Sequence, residues 1–275
     1  MNKTNTEIKS GPCREIAPGV YFLEVGGGFS RSNVYFVHSG PSWILIDAAS
    51  EKCGQLIRKA AESVFGVGTR PATILLTHDH VDHTGSVREL AQMWECPVYV
   101  HPDELPLATT GDITIVEKYA SPLDRWIVLP ILHLMPRHRA EAVIAKSSLK
   151  GVVQALDPDA GIPGLPDWKL IFTPGHTPGH IALYRSNDRV LLTGDTVLTV
   201  DLNSVCGVLS WLFRRKRPRV SGPPWYSTWR KQTAKKSVME LAGLEPHVLA
   251  PGHGLPMTGE RMVRDLRTLA DRFTS

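Results

Sequence analysis

The stretch TILLTHDHVDHTGSV, residues 73–87, sets an almost wholly apolar run against a turn that holds three histidines and two aspartates in six positions. The run ATILLTH (72–78) reads as a strand buried on both faces, which requires a sheet with packed layers on either side. Turns after the C-terminal ends of α/β strands are where ligand-binding side chains gather. His78 and His80, two residues apart in extended chain, can point to one side and grip one metal ion. Asp82 and His83 turn the other way as the next helix begins and can serve a second. Neutral imidazole and carboxylate suit zinc, and also iron or manganese. Four ligands cannot close two sites, so partners are expected at other strand ends.

Three such ends carry candidates. His176 lies in TPGHTPGH after the strand WKLIFTP (168–174), Asp195 ends RVLLTGD (189–195), and His253 ends HVLAPGH (247–253). Each follows a glycine, which permits a tight turn and close backbone approach. Around them the chain alternates β-rich and helical patterns. Strands are expected at 19–25, 32–39, 42–48, 97–102 and 180–186, with Gly26-Gly27-Gly28 as a hairpin break. Helices are expected at 51–65, from a Thr84 cap to about Glu95, and at 228–243 and 259–273. Residues 103–165 and 197–228 read as irregular inserts. This order predicts an α/β protein of packed sheets with helices outside and the two inserts over one edge.

Composition narrows the partners. With 31 basic and 27 acidic side chains the net charge of +4 is too mild to call for a nucleic acid. The polar N-terminus MNKTNTEIKSGP has no signal-peptide core, and no run approaches the 18–20 apolar residues of a membrane span. Cys13, Cys53, Cys96 and Cys206 form no CxxC pair and read as free thiols of a reducing compartment. A cytoplasmic protein acting on a small molecule is the expectation.

LID at 45–47, THDHVDH at 77–83, GHTPGH at 175–180, LLTGD at 191–195 and PGHG at 251–254 together resemble the metallo-β-lactamase-fold hydrolase superfamily. The likeness runs in order over roughly residues 20–260. It implies a four-layer αβ/βα sandwich forming a single domain over 1–275, with the two inserts near a dinuclear metal centre. Carried over position by position, His78, His80 and His176 hold the first metal, Asp82, His83 and His253 the second, and Asp195 bridges both. Two ions, zinc foremost with iron or manganese also accepted, activate a shared water whose hydroxide attacks the substrate. Asp82 doubles as the catalytic group that orients it. Asp47 matches an aspartate lying beneath the metals, where it orients a ligand imidazole, and His180 takes a supporting hydrogen-bonding role.

The resemblance narrows the branch to the glyoxalase II-like thioesterases and lactonases. A bridging Asp195 argues against true β-lactamases, and His80 argues against the flavo-di-iron branch, which has Glu there. An intact His253 weighs against the mono-iron persulfide dioxygenases. The expected activity is hydrolysis of a carboxylic ester, lactone or thioester with an apolar acyl part. A phosphodiesterase or nuclease of the same fold is the alternative. Trp126, Leu132, Met135, Trp211, Phe213, Trp225 and Tyr226 are the expected pocket walls, with 103–165 as a lid. The basic cluster Arg214, Arg215, Lys216, Arg217 and Arg219 is a candidate contact for an anionic tail, a phosphate or a membrane headgroup surface, with a solvated loop as the plain reading. Apolar insert surface would favour a homodimer.

Overall fold

The computed structural model describes residues 9–40, 42–213 and 218–274. Two mixed sheets stack face to face between outer helices, giving the four-layer αβ/βα sandwich. The first sheet runs β1 (Lys9–Ser10), β3 (Val20–Gly26), β4 (Ser32–Ser39), β5 (Ser42–Ile46), β6 (Thr73–Leu75), β7 (Val98–Val100) and β8 (Val153–Ala155), with β2 (Arg14–Ala17) also paired to β3. The second runs β13 (Met257–Thr258), β12 (Val248–Pro251), β11 (Val190–Gly194), β10 (Ile181–Arg185) and β9 (Trp168–Phe172). Pairing is parallel from β5 to β8 and between β11 and β12, and antiparallel elsewhere.

Period-two side-chain alternation builds three cores from these strands. Val20, Phe22, Tyr35, Val37, Ile44 and Ile46 face inward and meet Ile181, Leu183, Val190 and Leu192 between the sheets. The intervening residues Leu23, Val34, Phe36, Trp43 and Leu45 face outward and pack under α1 (Gly54–Phe65) and α3 (Val87–Trp94). On the far side Ala182, Tyr184 and Leu191 pack under α9 (Lys231–Gly243) and α10 (Glu260–Thr274). In α10 Met262, Val263, Leu266, Leu269 and Phe273 form one apolar stripe that belongs to this last core.

The two inserts are more regular than the sequence suggests. Residues 103–165 are mostly helical: α4 (Leu105–Ala108), α5 (Ile113–Tyr119), a π turn at Asp124–Val128 leading into α6 (Leu129–His133), and α7 (Arg137–Ser147). Pro136 sits just before α7, where a missing N–H costs nothing, and Pro130 lies in the first turn of α6 directly after the π turn. Asp112 caps α5 by accepting the Thr114 N–H at 2.9 Å. The segment has its own small core of Ile113, Ala120, Leu129, Leu132 and Ala140, and β8 then joins the first sheet. Residues 197–228 likewise contain α8 (Val205–Leu212), capped by Ser204, and a 3-10 turn at Trp225–Ser227. Thr84 is not a cap. It ends the short α2 (Val81–Thr84), and Gly85 and Ser86 separate that turn from α3.

Arg214, Arg215, Lys216 and Arg217 lie outside the described residues, while Arg219 stands 3.7 Å from Asp201. All four cysteines are free. Among the described residues no helix is long and apolar enough to cross a membrane.

The outer core beneath α1 is organised by Trp43, stacked on Phe65 at 4.9 Å and edge-on to Trp94 at 5.5 Å. Its indole N–H donates to Thr69 Oγ1 at 2.8 Å. Trp43→Ala is expected to destabilise the fold by about 3–5 kcal/mol, seen as a lower urea midpoint. A loss below about 1 kcal/mol would show that the cluster does not join sheet to helix.

Candidate metal centre

One edge of the sandwich collects strand ends from both sheets. His78 and His80 follow β6, and Asp47 follows β5. His176 follows β9, Asp195 follows β11 and His253 follows β12. β10 runs antiparallel to its neighbours, so its start brings His180 to the same edge. The sheets are tied together there: Ile181 N–H donates to Thr77 O at 3.0 Å, and Asn33 Nδ2 donates to Pro251 O at 2.8 Å and Gly254 O at 2.7 Å.

The donor atoms fall into two groups, His78, His80, His176 and Asp195 in one, and Asp82, His83 and His253 in the other, each within 4.8 Å of its fellows. His80 Nδ1 stands 3.1 Å from His78 Nε2 and 3.0 Å from His176 Nε2. The far ring nitrogens explain why lone pairs can converge. Thr77 gives its hydroxyl proton to Asp47 Oδ2 at 2.9 Å, so at 2.9 Å from Thr77 Oγ1 the His78 Nδ1 must be the donor. Thr228 gives its proton to Pro224 O, so His176 Nδ1 donates to Thr228 Oγ1 at 3.2 Å. His253 Nδ1 donates to Arg31 O at 2.8 Å, and His83 Nδ1 pairs with Asp47 Oδ2 at 2.9 Å. Four Nε2 atoms are thereby turned inward.

Asp195 lies between the groups, 3.4 Å from His176 Nε2, 3.3 Å from His253 Nε2 and 3.5 Å from His83 Nε2. Its Oδ1 is buried and makes no hydrogen bond. The space beside it is kept by Gly252, where a Cβ would collide with that same oxygen. Burial, then the other imidazoles, push His78 well below its ordinary value and His80 down to about 3. Burial alone would also lower His83 and His253. The carboxylates together outweigh it, Asp195 with Asp47 and Asp82 at His83 and Asp195 with Asp82 at His253, so His83 rises to about 9 and His253 well above its usual range. Burial would raise Asp82 and Asp195, yet His253 and His83 hold both below the ordinary carboxylate range. A buried carboxylate oxygen without a hydrogen bond, converging imidazoles and a demand for positive charge together fit divalent metal ions.

His180 is committed elsewhere. Its Nε2 accepts the Asp195 N–H at 2.9 Å, and its Nδ1 faces Thr173 and Thr196 hydroxyls at 2.8 and 3.1 Å. Asp79, between the two ligand histidines, is half-buried and lines the cavity, its carboxyl pushed up by burial and by Glu104. His101 stacks on Phe172 and accepts the Asp103 N–H at 3.2 Å in the turn before α4.

Above the cluster opens a cavity of about 680 Å³ whose walls include Asp82, His80, His176, Asp195 and His253. Of the expected walls, Leu132, Trp211 and Tyr226 line it and Trp126, Met135, Phe213 and Trp225 do not. Trp126 and Phe213 are 69% and 72% exposed, and Trp126 turns instead to Trp225, with ring centres 6.0 Å apart. The wall positions are taken by Leu107, Val116, Val143 and Ile144 from α4, α5 and α7. Thr77, Thr228 and Glu104 also escaped the sequence reading, whereas the glycine before His253 was part of it. Thr77 and Thr228 adjoin or face motif residues, but a buried Glu104 has no local signal.

This chain belongs to the metallo-beta-lactamase superfamily, whose pattern it matches over residues 27–253. It is 40% identical to the Bacillus subtilis (strain 168) protein named "Probable metallo-hydrolase YflN" over 276 residues, 98% of this chain and 97% of that one. Among solved structures it is similar to TTHA1623 in a di-iron-bound form, at 25% identity and a TM-score of 0.52, covering 91% of this chain and 97% of the other. A beta-lactamase domain protein from Burkholderia ambifaria shares the fold at a TM-score of 0.61 and 20% identity, over 98% of this chain and 79% of that one. Metal-dependent hydrolysis is the chemistry that suits both family and cluster.

Because His83 and His253 carry raised values, both hold protons at pH 7 that an incoming cation must displace. Zn²⁺ uptake by the metal-free protein is therefore expected to release protons and to weaken as the pH falls below about 9. Titration calorimetry in two buffers of different ionisation enthalpy reads this directly, and identical heats in both would refute it.

Proposed function

We propose that this protein is a dinuclear metal-dependent hydrolase of carboxylic esters, lactones or thioesters whose acyl part is substantially apolar. The observation that carries this reading is the cavity itself: its floor is the His/Asp cluster and its sides are Leu107, Val116, Leu132, Val143, Ile144 and Trp211. Among the described residues that line it there is no lysine or arginine, whereas Asp79, Asp82, Asp124 and Asp195 are present. That charge pattern disfavours a phosphodiester, the second reading, whose anionic group would gain from cationic side chains beyond the metal ions.

His78, His80 and His176 would hold one divalent ion and Asp82, His83 and His253 the other, with Asp195 shared. Zinc suits these donors best, with iron or manganese also accepted. Ions bound there would supply Lewis acidity and bring the pKa of water near neutrality. The chain's own groups do the positioning. Asp82, 23% exposed towards the cavity, accepts a hydrogen bond from the attacking water and so aims it. Burial, then the charges of Asp195 and Asp82, raises the Tyr226 phenol, so it keeps its proton and can donate to the substrate's carbonyl or leaving oxygen. The apolar walls hold the acyl chain and exclude competing water.

Elemental analysis is expected to find about two ions per chain, as the two donor groups imply; a protein that takes up none would sink the reading. His78→Ala and Asp195→Ala should each lower kcat/KM by more than about 100-fold, beyond the 10–100-fold typical of outer-sphere changes. Across p-nitrophenyl esters, octanoate should exceed acetate in kcat/KM by at least about tenfold, since each buried methylene contributes about 0.8 kcal/mol. Faster turnover of bis-p-nitrophenyl phosphate than of every ester, lactone and thioester would favour the second reading instead.

A further inference from the structure

We propose that Glu104 is a positioning residue for the metal centre, clamping the loop that carries His78 and His80 to the loop that carries His176. The inference rests on the dinuclear reading above and concerns what holds the first group of donors in register. Glu104 is fully buried at the start of α4, outside every motif of the metal cluster. Its Oε1 accepts the Asp79 N–H at 2.7 Å. Its Oε2 accepts the Thr177 hydroxyl at 2.9 Å and the Gly179 N–H at 2.6 Å. One carboxylate thus joins a turn of the first sheet to a turn of the second.

The position of these contacts gives them leverage. Asp79 separates His78 from His80, so the orientation of its amide governs the direction in which both imidazoles leave the backbone. Thr177 follows His176 directly. Glu104 also closes over Gly179, where a Cβ would strike the Glu104 backbone nitrogen. Its own N–H is held by His101 O at 2.9 Å, so the clamp is anchored to the end of β7 and does not float with the loops. All three partners are donors, and an ionised carboxylate can accept them all. A glutamine cannot: its NH₂ must face either the Asp79 N–H or the Thr177 and Gly179 donors. Metal sites accept ligand displacements of only about 0.2 Å, so a small opening between the two loops falls on the convergence of His78, His80 and His176.

The test is Zn²⁺ affinity by chelator competition, with Co²⁺ absorption spectra to report ligand geometry, on wild type, Glu104→Gln and Thr177→Val. Glu104→Gln is expected to weaken one of the two ions by about 10–100-fold, leave the other unchanged and alter the Co²⁺ spectrum, while the metal-free protein keeps its circular dichroism. Thr177→Val, which removes one of the three bonds, should shift the same ion by less. If the metal-free Glu104→Gln protein does not fold, Thr177→Val decides: selective weakening of one ion supports the clamp, and unchanged or uniform affinity overturns it. Wild-type affinity for both ions in a folded Glu104→Gln protein likewise overturns it. A wild-type protein that fails to bind two ions removes the dinuclear reading and the clamp's purpose with it.

Discussion

Burying Asp195 with one carboxylate oxygen lacking a hydrogen bond is the constraint on which the rest of the structure turns. A carboxylate removed from water without compensation costs several kcal/mol, and here it lies among imidazoles drawn from both sheets. Protons on His83 and His253 offset part of that cost in the metal-free protein, and divalent ions can offset it more fully. The three apolar cores hold the strand ends together against this local expense. The outer hydrogen bonds then decide what the imidazoles present. Asp47 reaches His83 directly and His78 through Thr77, so one carboxylate sets two rings in different donor groups. Its backbone, at φ 62°, adopts the left-handed conformation, in which an L-residue is strained. The bonds it makes to the Thr77 amide, the Thr77 hydroxyl and His83 fix it there.

Legibility in the sequence follows from how local each signal is. The strands were readable because inward and outward residues alternate within a few positions, as in β3, β4 and β5. The motif residues His78 to His83, His176, Asp195 and His253 were readable because such side chains rarely follow apolar strands, and the fold does bring them together. The helical segment 103–165 was not, because Pro130 and Pro136 start helices as readily as they break them. The pocket walls were not legible either. Hydrophobicity pointed to the largest side chains, Trp126, Phe213 and Trp225. Which face of each short helix turns towards the cavity depends on the packing of Ile113, Leu129 and Ala140, and that is a tertiary matter. Glu104 lay further out of reach, since its three partners are 25, 73 and 75 residues away.

Two functions are separated in space by this arrangement. Residues at the strand ends would, on the proposed reading, act on water, and they are locked by bonds to Asp47, Thr228 and the Arg31 carbonyl. Residues of α4, α5, α6 and α7, with α8 opposite, determine what sits above, and they pack on a core of their own. Trp211 is where the two meet. It lines the cavity, its carbonyl accepts from the Arg31 guanidinium, and that group also lies over its ring at 3.7 Å from the centroid. The carbonyl of the same Arg31 holds His253. A substrate that displaces Trp211 therefore pushes on a residue bonded to the metal cluster, whereas one that fills the space between Val116, Leu132 and Ile144 does not. A ligand can consequently vary in length at the helical wall without disturbing the donors, while bulk placed against Trp211 is felt at His253.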